Sequence, residues 1–90
     1  MKIVWRKRAE AAYLAQLGYV RDRNAKAARR MQKIVEHRLE LLSRHPEMGR
    51  PSARPNVREL VFSDTPYVAV YRVESAEITI LQFFHTSQNR

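Results

Sequence analysis

The chain has no cysteine, only two glycines and only four prolines among its 90 residues. Without cysteine there is no disulfide frame, no thiolate nucleophile and no thiolate metal site. No apolar run approaches the ~20 residues of a membrane-spanning helix. The opening MKIVWRKRAE turns charged too early for a secretory signal. Acidic residues are scarce too, with nine Asp and Glu against 17 Lys and Arg, for a formal net charge of +8. That excess disfavours basic partners and points to nucleic acid or an acidic protein segment. A soluble, cytoplasmic protein is expected, with no membrane association. It should form a single domain over residues 1–90, because a chain this short has no room for a second core. Folding at this size buries only roughly 60–65% of the surface of the unfolded chain, so a bound partner would add materially to stability.

Catalytic signatures are missing as well. The sequence holds no carboxylate pair, metal-ligand spacing, nucleophile elbow or Gly-rich phosphate loop. No metal and no cofactor is expected, and the residues by themselves carry no enzyme signature.

What is present is a clear change of period along the chain. Ile3-Val4-Trp5 is a short β-prone run, followed at once by charge. From about Lys7, Ala9, Ala12, Tyr13, Leu17 and Val20 recur at helical spacing. Arg21-Asp22-Arg23-Asn24 reads as a polar joint, with Asn24 the N-cap of a second helix. Residues 25–44 lack Gly and Pro and carry an apolar stripe of Ala28, Met31, Val35, Leu39 and Leu42. Pro46 ends that helix, because the residue before a proline is driven out of the helical region. Two amphipathic helices with so short a joint should pack as an antiparallel hairpin, with Ala12, Leu17, Met31, Val35, Leu39 and Leu42 facing a sheet.

The stretch HPEMGRPSARPNVREL, residues 45–60, holds three of the four prolines and one of the two glycines, and reads as a rigid connector. Beyond it, Val57–Phe62, Tyr67–Val73 and Ile78–Phe84 are rich in Val, Ile, Phe and Tyr and predict a three-stranded antiparallel meander. The order β-α-α-β-β-β implies an α+β fold of two layers, a helix hairpin on a small antiparallel sheet. Simple alternation places Tyr67, Ala69, Tyr71 and Val73 on one face and Val68, Val70 and Arg72 on the other. In the last strand it sets Ile78, Ile80 and Phe84 against Thr79, Leu81 and Phe83. Both faces are then apolar, with a single helical layer to cover them, so a partner is expected on the second face.

Basic groups dominate residues 1–54, whereas the rest of the chain has Arg58, Arg72 and Arg90 against Glu59, Asp64, Glu74 and Glu77. Lys26, Arg30, Lys33 and His37 share one helical face with Arg29 beside them, which suits either a phosphate backbone, an acidic segment or plain solvation. Arg50 and Arg54 read as solvated loop charges or as part of a basic contact. Arg58, inside a strand, could face a partner or pair with Glu59 or Glu77. His85, at a strand end, suits either acid–base chemistry or a satisfied structural role.

These segments resemble the ParE/RelE toxin superfamily of type II toxin–antitoxin systems. The resemblance rests on L-L-S-R-H-P-E-M-G-R-P, V-R-E-L, P-Y-V-A-V-Y-R-V and I-T-I-L-Q-F-F-H, in order, and runs from about Ile3 to Ser87. It implies that the first strand lies beside the last. It also implies a mostly disordered, acidic antitoxin that adds a helix or strand to the toxin, in a toxin–antitoxin hetero-oligomer. RelE-like members cleave mRNA on the ribosome with several basic residues and often a C-terminal Tyr or His; ParE-like members inhibit DNA gyrase by binding. Here Leu60 stands where a second basic residue would be expected, and Val68 where the RNases place arginine. Thr86-Ser87 replaces the usual Lys/Arg pair, and no Tyr follows. The resemblance therefore implies a ParE-like gyrase inhibitor without catalytic residues, the ribosome-dependent mRNA endonuclease being the alternative. Partner contacts are expected at Arg50, Arg58, Tyr71, Arg72, Phe84 and His85; an RNase would draw its chemistry from Arg58, Arg72 and His85.

Overall fold

The computed structural model describes residues 1–87. The chain runs β1 (Lys2–Trp5), α1 (Lys7–Arg23), α2 (Ala25–Arg44), a 3₁₀ turn (Pro46–Met48), β2 (Arg50–Pro51), β3 (Val57–Val61), β4 (Tyr67–Val73) and β5 (Glu77–His85). The strands form one sheet in the order β1-β5-β4-β3-β2. The three predicted meander strands are antiparallel neighbours, and β1 lies beside β5 as the resemblance implies. The β1–β5 pair is parallel, so the sheet is mixed rather than purely antiparallel.

Local chemistry explains the helix boundaries. α1 runs on to Arg23, so the expected four-residue joint shrinks to Asn24 alone. Asn24 is extended, and its Oδ1 accepts from the Ala27 amide at 3.0 Å, capping α2 as predicted. At the other end the His45 amide donates to Leu41 and Leu42 carbonyls, and Pro46 starts the 3₁₀ turn.

The helices cover one sheet face. Met31, Val35 and Leu42 are buried there, whereas Ala12, Leu17 and Leu39 are only partly covered, and the buried residue of α1 is Ala9. The register is Tyr67↔His85, Val68↔Phe84, Ala69↔Phe83, Val70↔Gln82 and then Tyr71↔Ile80, with an irregularity at Val70/Tyr71. One residue of β5 is therefore extra, as in a β-bulge. This corrects the simple alternation: Phe83 joins Ile78, Ile80, Tyr67 and Tyr71 under the helices, and Phe84 moves to the opposite face. Phe83 has Trp5, Tyr13, Phe62 and Tyr67 around it, with ring centroids 5.2–6.3 Å away.

The opposite face is not the open apolar surface that the sequence suggests. Val57, Val68, Val70 and Leu81 are each at most 5% exposed, and Val57, Val70 and Leu81 form a small second cluster with Phe84 against it. On that side Val61, at 45% exposure, is the large apolar residue left open to solvent.

Candidate partner-binding surface

The connector is built more tightly than a loop. Its 3₁₀ turn and β2 bring Gly49 directly over β3 and β4. The Tyr71 hydroxyl donates to the Pro46 carbonyl at 2.7 Å and accepts from the Gly49 amide at 2.9 Å. Arg58 Nη1 donates to the Gly49 carbonyl at 2.9 Å and the Glu47 carbonyl at 3.3 Å. Arg58 and Tyr71 are paired across β3 and β4, so one rung of the sheet holds both ends of the turn. Arg58 thus takes neither of the carboxylate partners expected from the sequence. Arg50 instead pairs with Glu59, Nη2 to Oε1 at 3.1 Å, across the β2–β3 ladder. Pro46, Glu47, Pro51, Arg54, Arg58 and Val73 line an open cleft of about 460 Å³ beside this turn.

Tyr71 is fully buried. Burial pushes its phenol above the ordinary value; the Gly49 amide and Arg58 beside it offset part of that rise, and Glu47 adds to it. Burial likewise raises Tyr13, with Glu36 adding, and Tyr67, with Tyr19 adding. A folded-state pKa above the unfolded value of ~10 gives stability that is complete below about pH 10 and lost as pH climbs through the folded value. The protein should therefore lose stability above about pH 10. Tyr71→Phe should be about 1–3 kcal/mol less stable at pH 8, because the buried Gly49 amide and the partly buried Pro46 carbonyl lose their partner. Denaturant midpoints at pH 8 and at pH 11 should show that gap narrowing at the higher pH; a constant gap would contradict the assignment.

The remaining predicted site residues lie elsewhere. Arg72 is on the opposite face, paired with Val57 in the ladder, and its Nε is shielded from solvent 3.6 Å from the Glu74 carboxylate. Phe84 shares that face, half-buried. His85 returns to the helix-facing side at the far end of β5, its ring edge-on to Tyr67 at 5.4 Å. The Ser87 amide donates to His85 Nδ1 at 3.1 Å and Ser87 Oγ lies 2.7 Å from the same nitrogen, so Nδ1 acts as an acceptor. On β4, the rung of Arg58 and that of His85 are four residues apart, about 13 Å along the strand. Arg58, Arg72 and His85 thus divide between two faces and two ends of the sheet. Among the described residues no group of three His, Cys, Asp or Glu is arranged to hold a metal ion, and no helix is long and apolar enough to cross a membrane.

Sequence reasoning did not find β2, the Gly49–Tyr71 contact or Arg38, whose Nη2 donates from α2 to the Val61 carbonyl at 3.2 Å. A signal for the first two was present: a lone glycine between Met48 and Arg50-Pro51 marks a place where another group comes close to the backbone.

Three comparisons bear on what this architecture belongs to. The family model of the ParE toxin of the type II toxin–antitoxin system parDE matches residues 3–90. A Sinorhizobium fredii protein named "Putative toxin Y4kP" is 33% identical over 88 residues, covering 97% of this chain and 90% of that protein. A solved structure described as the chromosomal ParDE TA system from P. aeruginosa superposes with a TM-score of 0.79 at 26% identity, over 94% of this chain and 95% of the other. With a helix hairpin on a five-stranded sheet and a family match across nearly its whole length, the chain belongs to the ParE toxins of type II toxin–antitoxin systems.

Proposed function

We propose that this ParE-family toxin blocks growth by binding DNA gyrase, without chemistry of its own, and is silenced by a cognate acidic antitoxin. The observation that supports binding over catalysis is the dispersal of Arg58, Arg72 and His85. Phosphodiester cleavage needs a base, an acid and cations around one developing phosphorane. A ~13 Å separation and a sheet between the groups do not supply that. Arg58 is, moreover, committed to two connector carbonyls. Gyrase enters because the ParE branch of the superfamily acts on it by binding.

Of the predicted contact residues, Arg50, Arg58, Arg72, Phe84 and His85 retain exposed surface for such partners, and Tyr71 alone is fully buried. Arg58 and Tyr71 would act through the connector that they hold. The antitoxin fits the charge balance of +8 and the open apolar side chains Leu14, Tyr19 and Val61.

The test adds purified protein to a gyrase supercoiling reaction and, in parallel, to a translating ribosome mixture. Blocked supercoiling or gyrase-dependent DNA cleavage is expected. Codon-positioned cuts in mRNA, with gyrase untouched at saturating protein, would replace this reading with the ribonuclease one.

A further inference from the structure

The basic face of α2 has no role in the fold or in the proposed binding of gyrase. Lys26, Arg29, Arg30 and Lys33 are all exposed, and they crowd into the first nine residues of the helix. Lys26–Arg30 and Arg29–Lys33 are like-charge pairs at i,i+4, and Lys26–Arg29 and Arg30–Lys33 at i,i+3, each of which destabilises an isolated helix. The first turn contains no acidic residue, so Lys26 meets the positive end of the helix dipole uncompensated. The ion pairs found among the described residues are Arg44–Glu40, Arg50–Glu59 and Arg72–Glu74, and none includes these four cations. Arg30 shares a groove with Asp64 and Tyr67 without pairing with the carboxylate. The like-charge pairs and the missing acidic residue in the first turn weigh against the helix, and the placement points to an external polyanion.

Two kinds of polyanion fit a basic helix, and apolar anchors tell them apart. An acidic protein segment docks through buried apolar or aromatic side chains at the centre of its interface. Among the described residues the large exposed apolar side chains are Met1, Leu14, Tyr19 and Val61, none on α2, and the apolar groove of Val20, Ala27, Met31, Ile34 and Tyr67 meets this basic face at Arg30 alone. A phosphate backbone needs no such anchors; it needs cations in a row. From Lys26 to Lys33 the row spans about 10 Å, the length of about three successive phosphates along a duplex.

We infer that the exposed face of α2 is a sequence-independent nucleic-acid surface, with Lys26, Arg29, Arg30 and Lys33 contacting phosphates of duplex DNA. The inference stands on charge placement alone and does not depend on gyrase being the target. If gyrase is the target, the face would grip DNA that the enzyme has already engaged.

The test titrates a fluorescent duplex of about 20 base pairs with the full chain at several salt concentrations and reads anisotropy. It compares the quadruple variant Lys26→Gln/Arg29→Gln/Arg30→Gln/Lys33→Gln with a charge-matched control, Arg6→Gln/Lys7→Gln/Arg8→Gln/Arg54→Gln. The α2 variant should flatten the log–log salt slope by about three and a half units and weaken binding by at least about a hundredfold at 0.1 M salt, because each lost phosphate contact removes about 0.9 from the slope. It should also melt higher than the parent, since like-charge repulsion is relieved. The control should retain most of the affinity. If the quadruple variant fails to fold, Arg29→Gln/Lys33→Gln should show about half the change in slope. Equal losses in variant and control would reduce the effect to net charge and overturn the inference. Absence of DNA binding, or tighter binding of a poly-glutamate peptide at matched ionic strength, would overturn it as well.

Discussion

Phe83→Ala should destabilise the protein by about 3–5 kcal/mol, whereas Phe84→Ala, one residue on, should cost only about 1 kcal/mol. Phe83 is 4% exposed and lies among four aromatic rings, with Tyr67 stacked on it at 5.3 Å and Tyr13 meeting it edge-on at 5.2 Å. Truncation there removes a large buried side chain and opens a cavity between the sheet and α1 that rigid neighbours cannot fill. Phe84 is half-buried against the small cluster of Val57, Val70 and Leu81, where loss of the ring exposes surface and leaves no enclosed void. Urea unfolding of the two variants measures the difference. Equal costs, or a larger cost at Phe84, would mean that β5 lacks the extra residue and follows simple alternation.

Gly49→Ala should be nearly as damaging, at about 3 kcal/mol or more. A Cβ at this position would lie 2.6 Å from the Tyr71 hydroxyl oxygen and 2.7 Å from the Glu59 carbonyl. The glycine has φ −78, so conformational freedom is not what the site requires; it requires the absence of a side chain. Tyr71→Phe should not rescue the variant, because the Glu59 carbonyl is backbone and the Tyr71 ring carbon at 2.7 Å remains in place. Thermal melts of the single and double variants decide this. Recovery of the parent melting temperature in the double variant would show that the hydroxyl alone creates the restriction.

The fold was largely legible because its helices and strands obey their periods. The stripe from Ala28 to Leu42, the Asn24 cap and the stop at Pro46 all rest on local chemistry and all appear. The division of side chains between the faces of β5 was not legible, since one extra residue inverts every later position and leaves no mark in composition. Burial of Val68, Val70 and Leu81 without a second helical layer also escaped the sequence reading, which counted covering elements and could not count neighbours within a twisted sheet. At the candidate site the residue types were legible but their commitments were not. Arg58 looked for a carboxylate and found two carbonyls, and Tyr71 turned inward onto the connector. Both depend on contacts 9 to 25 residues distant in sequence.

The central claim, that the toxin works by binding and not by chemistry, is tested most directly with the parent and His85→Gln in the gyrase supercoiling assay and, in parallel, in the translating ribosome mixture, from about pH 6 to pH 8, the range in which a catalytic histidine would titrate. Glutamine keeps a polar side chain at the end of β5 while abolishing imidazole acid–base chemistry. The account predicts inhibition weakened by no more than one contact, about 1–3 kcal/mol, with the same pH dependence as the parent. Ribosome-dependent mRNA cleavage that His85→Gln lowers by two or more orders of magnitude, with loss of its pH dependence near neutrality, would contradict it and make His85 a catalytic residue.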